Sequence, residues 1–202
     1  MKQKFTLKNT YRFLLVVLGT IGLMINTELQ LHSLLYYTTL SNLLCLVYFA
    51  YLISTKKVET GNFKGAVTLA ITVTMLIYWL ILAPYSFNVH GAFEMTGALS
   101  VHLFLPLAVI LDWIFFDQKG QFTKKAPVYW LAIPLSYYAF TVVAATLKVV
   151  YPLTNTHYPY YFIDSNMYGW TRVFINVIFL TLFFLVLGYG FYRLDKKLGQ
   201  NK

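Results

Sequence analysis

A histidine lies in the middle of an apolar segment, where an ionisable side chain is costly and therefore a candidate for function. The segment SVHLFLPLAVILDW, residues 100–113, places His102 four residues before Pro106. A neutral imidazole can take a proton from a hydroxyl group, and a Ser or Thr hydroxyl activated in this way attacks an ester carbonyl. The segment YYTTLSN offers hydroxyl groups at Thr38 and Thr39. These residue types indicate nucleophilic ester hydrolysis as one possible chemistry.

A few other polar side chains fall in apolar segments and could support such a reaction. Asn42 and Asn176 carry amide groups that could donate a hydrogen bond to a developing oxyanion, and Ser41 precedes Asn42. The structural alternative is that the Ser and Thr hydroxyls bond to their own helix backbone, while the Asn and His side chains hold neighbouring helices together. Residue type alone leaves both interpretations open.

No carboxylate lies within one helical turn of His102 to orient its imidazole. Asn176, Tyr78 or the segment around Asp164 could take that role, and the sequence does not choose between them. The four histidines show no ligand spacing such as HxxxH, so we predict neither a metal centre nor a cofactor.

The composition indicates which elements must position these residues. The chain has 202 residues, of which 58% are hydrophobic and 11% are charged, a balance that a soluble domain of this size could not cover with polar surface. Runs of about 20 apolar residues are long enough to cross a bilayer. The predicted spans are residues 11–29, 32–54, 65–86, 94–116, 127–149 and 169–192. We therefore predict one all-α domain over residues 1–202, a polytopic bundle of six transmembrane helices.

The net charge of +9 is distributed along the chain in a way that predicts topology. Of the 16 basic residues, 14 fall before or at the very start of span 1, between spans 2 and 3, between spans 4 and 5, or after span 6. The positive-inside rule makes that side cytoplasmic, so both termini should lie inside a multi-pass protein of the cell membrane. Because the charge lies between apolar segments and not on a soluble face, we predict no nucleic-acid partner.

Depth in the membrane gives a second test of the candidate residues. Spans 2, 4 and 6 run in the same direction, and Thr38, His102 and Asn176 lie at depths of about 9, 12 and 10 Å at helical rise. They share one layer in the outer half of the bundle, and Thr38 and Asn42 share a helix face at spacing i and i+4.

Pro106 bears on the local geometry of span 4. It lacks the N–H that would bond to the carbonyl of His102, so the helix should open there. Asp112, next to Trp113 at the cytoplasmic end of the span, is predicted to be an interfacial residue. The Tyr-rich connection between spans 5 and 6 is predicted to be either an aromatic belt at the interface or a lid.

Four segments resemble a known family. They are YYTTLSNLL, HLFLPLAVILDWIFF, WLAIPLSYYAF and YPYYFIDSNMYGW, and together they resemble the bacterial six-span branch of the androgen-induced transmembrane protein family. Its animal members are intramembrane threonine hydrolases of fatty-acid esters of hydroxy fatty acids. The resemblance implies a catalytic threonine at Thr38, with Thr39 as the rival, and a catalytic histidine at His102. In the animal pattern the proline stands one residue further on than Pro106 does here.

Three functions remain open from the sequence. The first is an intramembrane lipid-ester hydrolase with Thr38 as nucleophile, His102 as base and a membrane lipid as substrate. The second is a lipid or small-molecule binder or transporter that uses the same polar layer, which helix breaks at Pro84, Pro106 and Pro134 favour. The third is a structural membrane protein whose polar core is satisfied internally.

Overall fold

The computed structural model describes residues 6–55, 61–86 and 89–200, and six long helices run through these ranges. They are α1 Leu7–Thr27, α2 Tyr37–Thr55, α3 Gly61–Tyr85, α4 Gly91–Phe116, α5 Ala126–Thr146 and α6 Ser165–Gln200. Each is long and apolar enough to cross a membrane, so the chain is a multi-pass membrane protein. The predicted all-α bundle of six spans is confirmed, whereas the cytoplasmic position of the termini stays a prediction.

The helix bounds differ from the prediction most clearly at the second and sixth spans. The second span was expected to begin at residue 32, but Leu31–Leu35 form a 3-10 turn and α2 begins only at Tyr37. The sixth was expected to end at residue 192, but α6 continues to Gln200 because its last turns are polar and basic and stay helical beyond the apolar segment. Thr38 consequently lies in the first turn of its helix.

α1 and α4 approach each other closely near the middle of α4. Gly22 of α1 lies against Ser100 of α4, and a Cβ atom added to residue 22 would be 2.3 Å from the Ser100 Cβ. Further contacts join α1 to α2, α2 to α3, α3 to α4, α5 and α6, and α5 to α6. This packing brings the first turn of α2 beside the middle of α4 and the second half of α3.

Both α3 and α4 contain a π-helical turn, at Tyr78–Leu82 and Ser100–Phe104. Each turn precedes a proline, Pro84 in α3 and Pro106 in α4, and a proline cannot donate a backbone hydrogen bond to the turn before it. The opening predicted at His102 takes the form of a widened π turn. Such turns occur frequently at functional sites because they displace a side chain from regular helical geometry.

The connection between α5 and α6, residues 147–164, closes one end of the bundle, which we call the loop end. The Tyr36 hydroxyl accepts a hydrogen bond from the N–H of Leu153 at 2.9 Å. Asn176 of α6 donates to the carbonyl oxygen of Phe162 at 2.8 Å. The connection is therefore fixed to the helices on both sides and contributes side chains to the interior.

Four charged side chains form a buried cluster at the opposite end, which we call the charge cluster. Arg12 contacts both carboxylate oxygens of Asp112, at 2.8 and 2.9 Å, and one oxygen of Asp117 at 2.7 Å. The Lys64 ammonium lies 2.5 Å from Asp112. The prediction that Asp112 is interfacial is wrong, because two cations pair with it and its exposed fraction is 0%.

Candidate active site

Thr38, in the first turn of α2, lies against His102 in the π turn of α4. The Thr38 Oγ1 is 3.4 Å from the His102 Nε2. This separation is at the long end of the hydrogen-bond range, as is common in enzyme sites without substrate. Thr38 is half-buried and lines an internal cavity, whereas its rival Thr39 is only 5% exposed. The structure thus brings Thr38 and His102 together, as their predicted depths suggested.

A backbone carbonyl determines which nitrogen of His102 carries the proton. The Nδ1 atom lies 3.0 Å from the carbonyl oxygen of Ala98, four residues earlier in α4. A carbonyl oxygen can only accept a hydrogen bond, so Nδ1 must be the protonated nitrogen and Nε2 keeps its lone pair. The Thr38 hydroxyl then donates to Nε2. This is the arrangement that a general base requires before it takes a proton.

Two aromatic residues of α3 hold His102 in place. The Tyr78 ring stacks on the imidazole with a centroid separation of 3.5 Å and an interplanar angle of 11°. The Trp79 indole N–H donates to the carbonyl oxygen of His102 at 3.0 Å. This is the carbonyl that Pro106 leaves without an α-helical donor, so the indole supplies the missing hydrogen bond. Tyr78, one of the candidates for orienting the imidazole, contacts it through its ring face.

Ser41 and Asn42 bind the backbone around Thr38. The amide nitrogen of Asn42 donates to the carbonyl oxygens of Thr38 at 2.7 Å and Val101 at 3.3 Å. The Ser41 hydroxyl lies 3.1 Å from the Thr38 carbonyl and 2.6 Å from the Thr74 hydroxyl. Because an amide group has two hydrogens and both are engaged, Asn42 links α2 to α4 and has none left for an oxyanion.

Asn176 and Asp164 lie apart from the imidazole and organise the loop end. The amide of Asn176 donates to the Phe162 carbonyl. The Oδ1 of Asp164 accepts hydrogen bonds from the N–H groups of Asn166 and Met167 at 2.8 and 3.1 Å, which caps the first turn of α6. Both residues hold the connection over the site.

An apolar cavity of about 80 Å³ begins at Thr38 and extends between α3, α5 and α6. Its apolar lining includes Val73, Ile77, Leu82, Leu180 and Phe184. Leu135 of α5 also lines the cavity and is 39% exposed, so this residue lies between the cavity and the surface that would face lipid.

Sequence reasoning missed three contributors to the site. Ala98 orients the imidazole through its carbonyl, and the signal that could have found it is its spacing of four residues before His102. Trp79 and Tyr160 gave no signal, because one aromatic residue in a membrane protein with many looks like any other. Tyr160 lines the cavity together with Thr38.

The arrangement can activate a hydroxyl group for attack on a carbonyl carbon. It combines a nucleophile, a base with an available lone pair and an apolar cavity for the rest of the substrate. Within residues 6–55, 61–86 and 89–200 there is no group of three His, Cys, Asp or Glu side chains that could hold a metal ion.

Comparison of the chain with known protein families, with curated proteins and with solved structures finds no match. The resemblance to the androgen-induced transmembrane protein family therefore stays a prediction that rests on the quoted segments.

Proposed function

We propose that the protein is an intramembrane hydrolase of lipid esters, of the type in which a fatty acid is esterified to a hydroxy fatty acid, and that it acts in the cell membrane. One observation carries the proposal. The Thr38 hydroxyl donates to the Nε2 of His102 at the wall of an apolar cavity between α3, α5 and α6. The resemblance to intramembrane threonine hydrolases supports the same two residues on separate grounds.

In the first half of the reaction, the Thr38 O–H bond breaks and its proton passes to the Nε2 of His102. The Oγ1 electron pair forms a bond to the ester carbonyl carbon, and the carbonyl π pair moves onto the oxygen as an oxyanion. When the oxyanion collapses, the bond to the alcohol oxygen breaks. The departing alkoxide takes the proton from His102, which leaves an acyl ester on Thr38.

The second half reverses these roles with water. His102 takes a proton from a water molecule, and the water oxygen bonds to the acyl carbon. The bond to Thr38 Oγ1 then breaks, and His102 returns the proton to Oγ1. The products are a free acid and an alcohol, and both side chains regain their starting states. Tyr78 and the Ala98 carbonyl keep the imidazole oriented through both halves.

The test is turnover of a lipid ester by the purified protein, together with covalent labelling by a fluorophosphonate probe. Thr38→Ala should abolish labelling, and His102→Ala should lower kcat by about 10²–10⁴-fold because the base is lost. Thr38→Ser keeps a hydroxyl and should retain measurable turnover.

A matched control is Thr181→Ala, which removes another hydroxyl from the cavity wall. That hydroxyl donates to the Val177 carbonyl of its own helix at 2.7 Å, so its loss should leave turnover within a few-fold of the wild type. Unchanged turnover in both Thr38→Ala and His102→Ala would refute the Thr38/His102 dyad, and no turnover by the wild type would refute the hydrolase.

A second function, lipid or small-molecule transport, is favoured by the two π turns. Interrupted helices in α3 and α4 meet at His102, and discontinuous spans are typical of transport sites. Uptake into proteoliposomes that depends on a proton gradient, with no ester cleavage, would favour transport over hydrolysis.

A further inference from the structure

The Tyr78 ring covers one face of the His102 imidazole. The two ring centroids are 3.5 Å apart and the interplanar angle is 11°, so the rings lie almost directly over each other. Tyr78 begins the π turn of α3, and the adjacent Trp79 donates to the backbone carbonyl of His102. The same turn of α3 therefore contacts both the ring and the backbone of His102.

This stacking geometry suits a charged imidazole better than a neutral one. Two neutral aromatic rings prefer an offset or edge-to-face contact with centroids about 4.5–7 Å apart, because their negative faces repel each other in a direct stack. A cation, in contrast, is attracted to the negative face of an aromatic ring when it lies within about 6 Å of the centroid. The contact between Tyr78 and His102 should therefore become more favourable when the imidazole gains a positive charge.

The proposed reaction places such a charge on His102. Its Nδ1 proton stays on the Ala98 carbonyl while Nε2 receives the proton of the Thr38 hydroxyl. The ring then carries one positive charge while the Thr38 oxygen forms its bond to the ester carbon. Because His102 is only 8% exposed, little water can solvate this charge, and another group must stabilise it.

No acid is in place to stabilise the imidazolium. In a Ser-His-Asp triad, a carboxylate bonded to the second ring nitrogen has this role. In the part of the chain that the structure describes, the ring nitrogens of His102 contact the Thr38 hydroxyl and the Ala98 carbonyl, and no carboxylate pairs with them. The Ala98 carbonyl is uncharged, so the Tyr78 ring face is the other group in contact with the imidazole that can stabilise positive charge.

The Tyr78 hydroxyl is not needed for this contact. It makes no hydrogen bond within residues 6–55, 61–86 and 89–200. The ring face alone contacts the imidazole, so the effect should persist in a phenylalanine at this position and disappear in an aliphatic residue.

We propose that Tyr78 stabilises, through its ring face, the imidazolium that forms on His102 when Thr38 attacks an ester; this inference rests on the proposed hydrolase function. The attraction is stronger in the transition state than in the resting site, where the imidazole is neutral, so it lowers the barrier and does not merely bind substrate. Tyr78 is a positioning residue, because it acts through His102.

The test is Tyr78→Leu, assayed with the para-nitrophenyl ester of a long-chain fatty acid. Loss of a desolvated contact between a cation and a ring face should lower kcat by about 10–30-fold with little change in KM. Tyr78→Phe keeps the ring and should stay within about 3-fold of the wild-type kcat. Tyr85→Leu is the matched control, since it makes the same change two turns further along α3 at a residue that is 82% exposed, and it should keep the wild-type kcat.

Ring fluorination separates charge stabilisation from a role in packing. Phenylalanines with one, two or three ring fluorines, incorporated at residue 78, keep nearly the same shape but have a progressively less negative ring face. We expect kcat to fall stepwise with the number of fluorines while KM stays constant. End-point titration with the fluorophosphonate probe counts the active molecules, so partial misfolding of a variant cannot produce this trend.

Failure of this inference and failure of the hydrolase would look different. If Thr38→Ala and His102→Ala lose turnover but Tyr78→Leu keeps the wild-type kcat, or the fluorinated series shows no trend, Tyr78 does not stabilise the charge and the hydrolase stands. A loss in Tyr78→Phe as large as that in Tyr78→Leu would assign the effect to the hydroxyl and would also overturn the inference. If the wild type neither cleaves the ester nor labels at Thr38, the proposed function falls and the role of Tyr78 falls with it.

Discussion

Asp112 shows how a single side chain can hold three helices together. It lies in α4 between Arg12 of α1 and Lys64 of α3, and all three residues are almost completely buried. Asp117 adds a second carboxylate to Arg12 at 2.7 Å, so the cluster holds two cations and two anions. Removal of one partner from such a cluster leaves a buried charge uncompensated. The resulting loss of stability is larger than the net stabilisation that the intact cluster provides.

We expect Asp112→Asn to lower the free energy of unfolding by about 3 kcal/mol, because Arg12 and Lys64 then share one carboxylate. Thermal or denaturant unfolding in detergent micelles measures the effect. Glu28→Gln, which removes an exposed carboxylate at the end of α1, should change stability by less than about 0.5 kcal/mol. Equal midpoints for the two variants would show that the cluster contributes little to stability.

For single residues, the sequence predicted which side chains lie at the site better than it predicted their contacts. Thr38 and His102 could be predicted as a pair because they lie at a similar depth in the membrane, whereas Asn176, predicted at the same depth, bonds to the Phe162 carbonyl instead. The burial of Asp112 could not, because whether a carboxylate at a helix end meets lipid heads or two cations depends on which helices are neighbours. Tyr160 could not be told from the other tyrosines of its loop.

The π turn of α4 depends on donors from two other helices. Pro106 has no N–H to donate. The Val101 carbonyl, five residues earlier, therefore lacks the donor of a π-helical hydrogen bond, and the His102 carbonyl, four residues earlier, lacks the donor of an α-helical one. Asn42 of α2 donates to the first and Trp79 of α3 to the second. The turn is therefore stabilised by tertiary contacts, which explains how an opening can persist in a membrane helix.

We expect Trp79→Phe to destabilise the Pro106 protein by about 1–2 kcal/mol more than it destabilises the Pro106→Ala protein. An alanine at residue 106 supplies an N–H for the His102 carbonyl, so the indole donor is then dispensable. A double-mutant cycle of unfolding free energies in detergent measures the coupling. Strict additivity of the two substitutions would contradict this account of the turn.

Apolar run length predicted the six helices well, since crossing a bilayer imposes a minimum length. It failed at the start of α2, where Leu31–Leu35 are as apolar as the helix but wind as a 3-10 turn. It also could not predict the form of the openings in α3 and α4. A proline removes one backbone donor. Which hydrogen-bond spacing the helix then adopts depends on the side chains of neighbouring helices.

Across the whole molecule, the two ends differ in character. The charge cluster lies where α1 begins and α4 ends, while the tyrosine-rich connection closes the end that holds Thr38. Arg12 and Lys64 are paired with acids, so these two of the 16 basic residues do not attract lipid head groups. The remaining basic residues still favour the charge-cluster end as the cytoplasmic one.

We expect Leu153→Cys to react with a membrane-impermeant maleimide added to intact cells, and Gln200→Cys to react only after permeabilisation. Both positions are exposed, at opposite ends of the bundle. The unaltered chain is the control, because Cys45 has an exposed fraction of 0% and should stay unlabelled. The reverse pattern would place the termini outside.

The Ala98 carbonyl has a consequence for how this site tolerates mutation. Any amino acid that keeps the helix intact brings the same carbonyl oxygen to residue 98, so a substitution there affects His102 only through the packing of this buried position. Alanine scanning would pass over this position, and selection there would act on the size of the side chain and not on the carbonyl. The proposed dyad is therefore oriented by a backbone carbonyl that point mutation can hardly remove, which makes the orientation of His102 genetically robust.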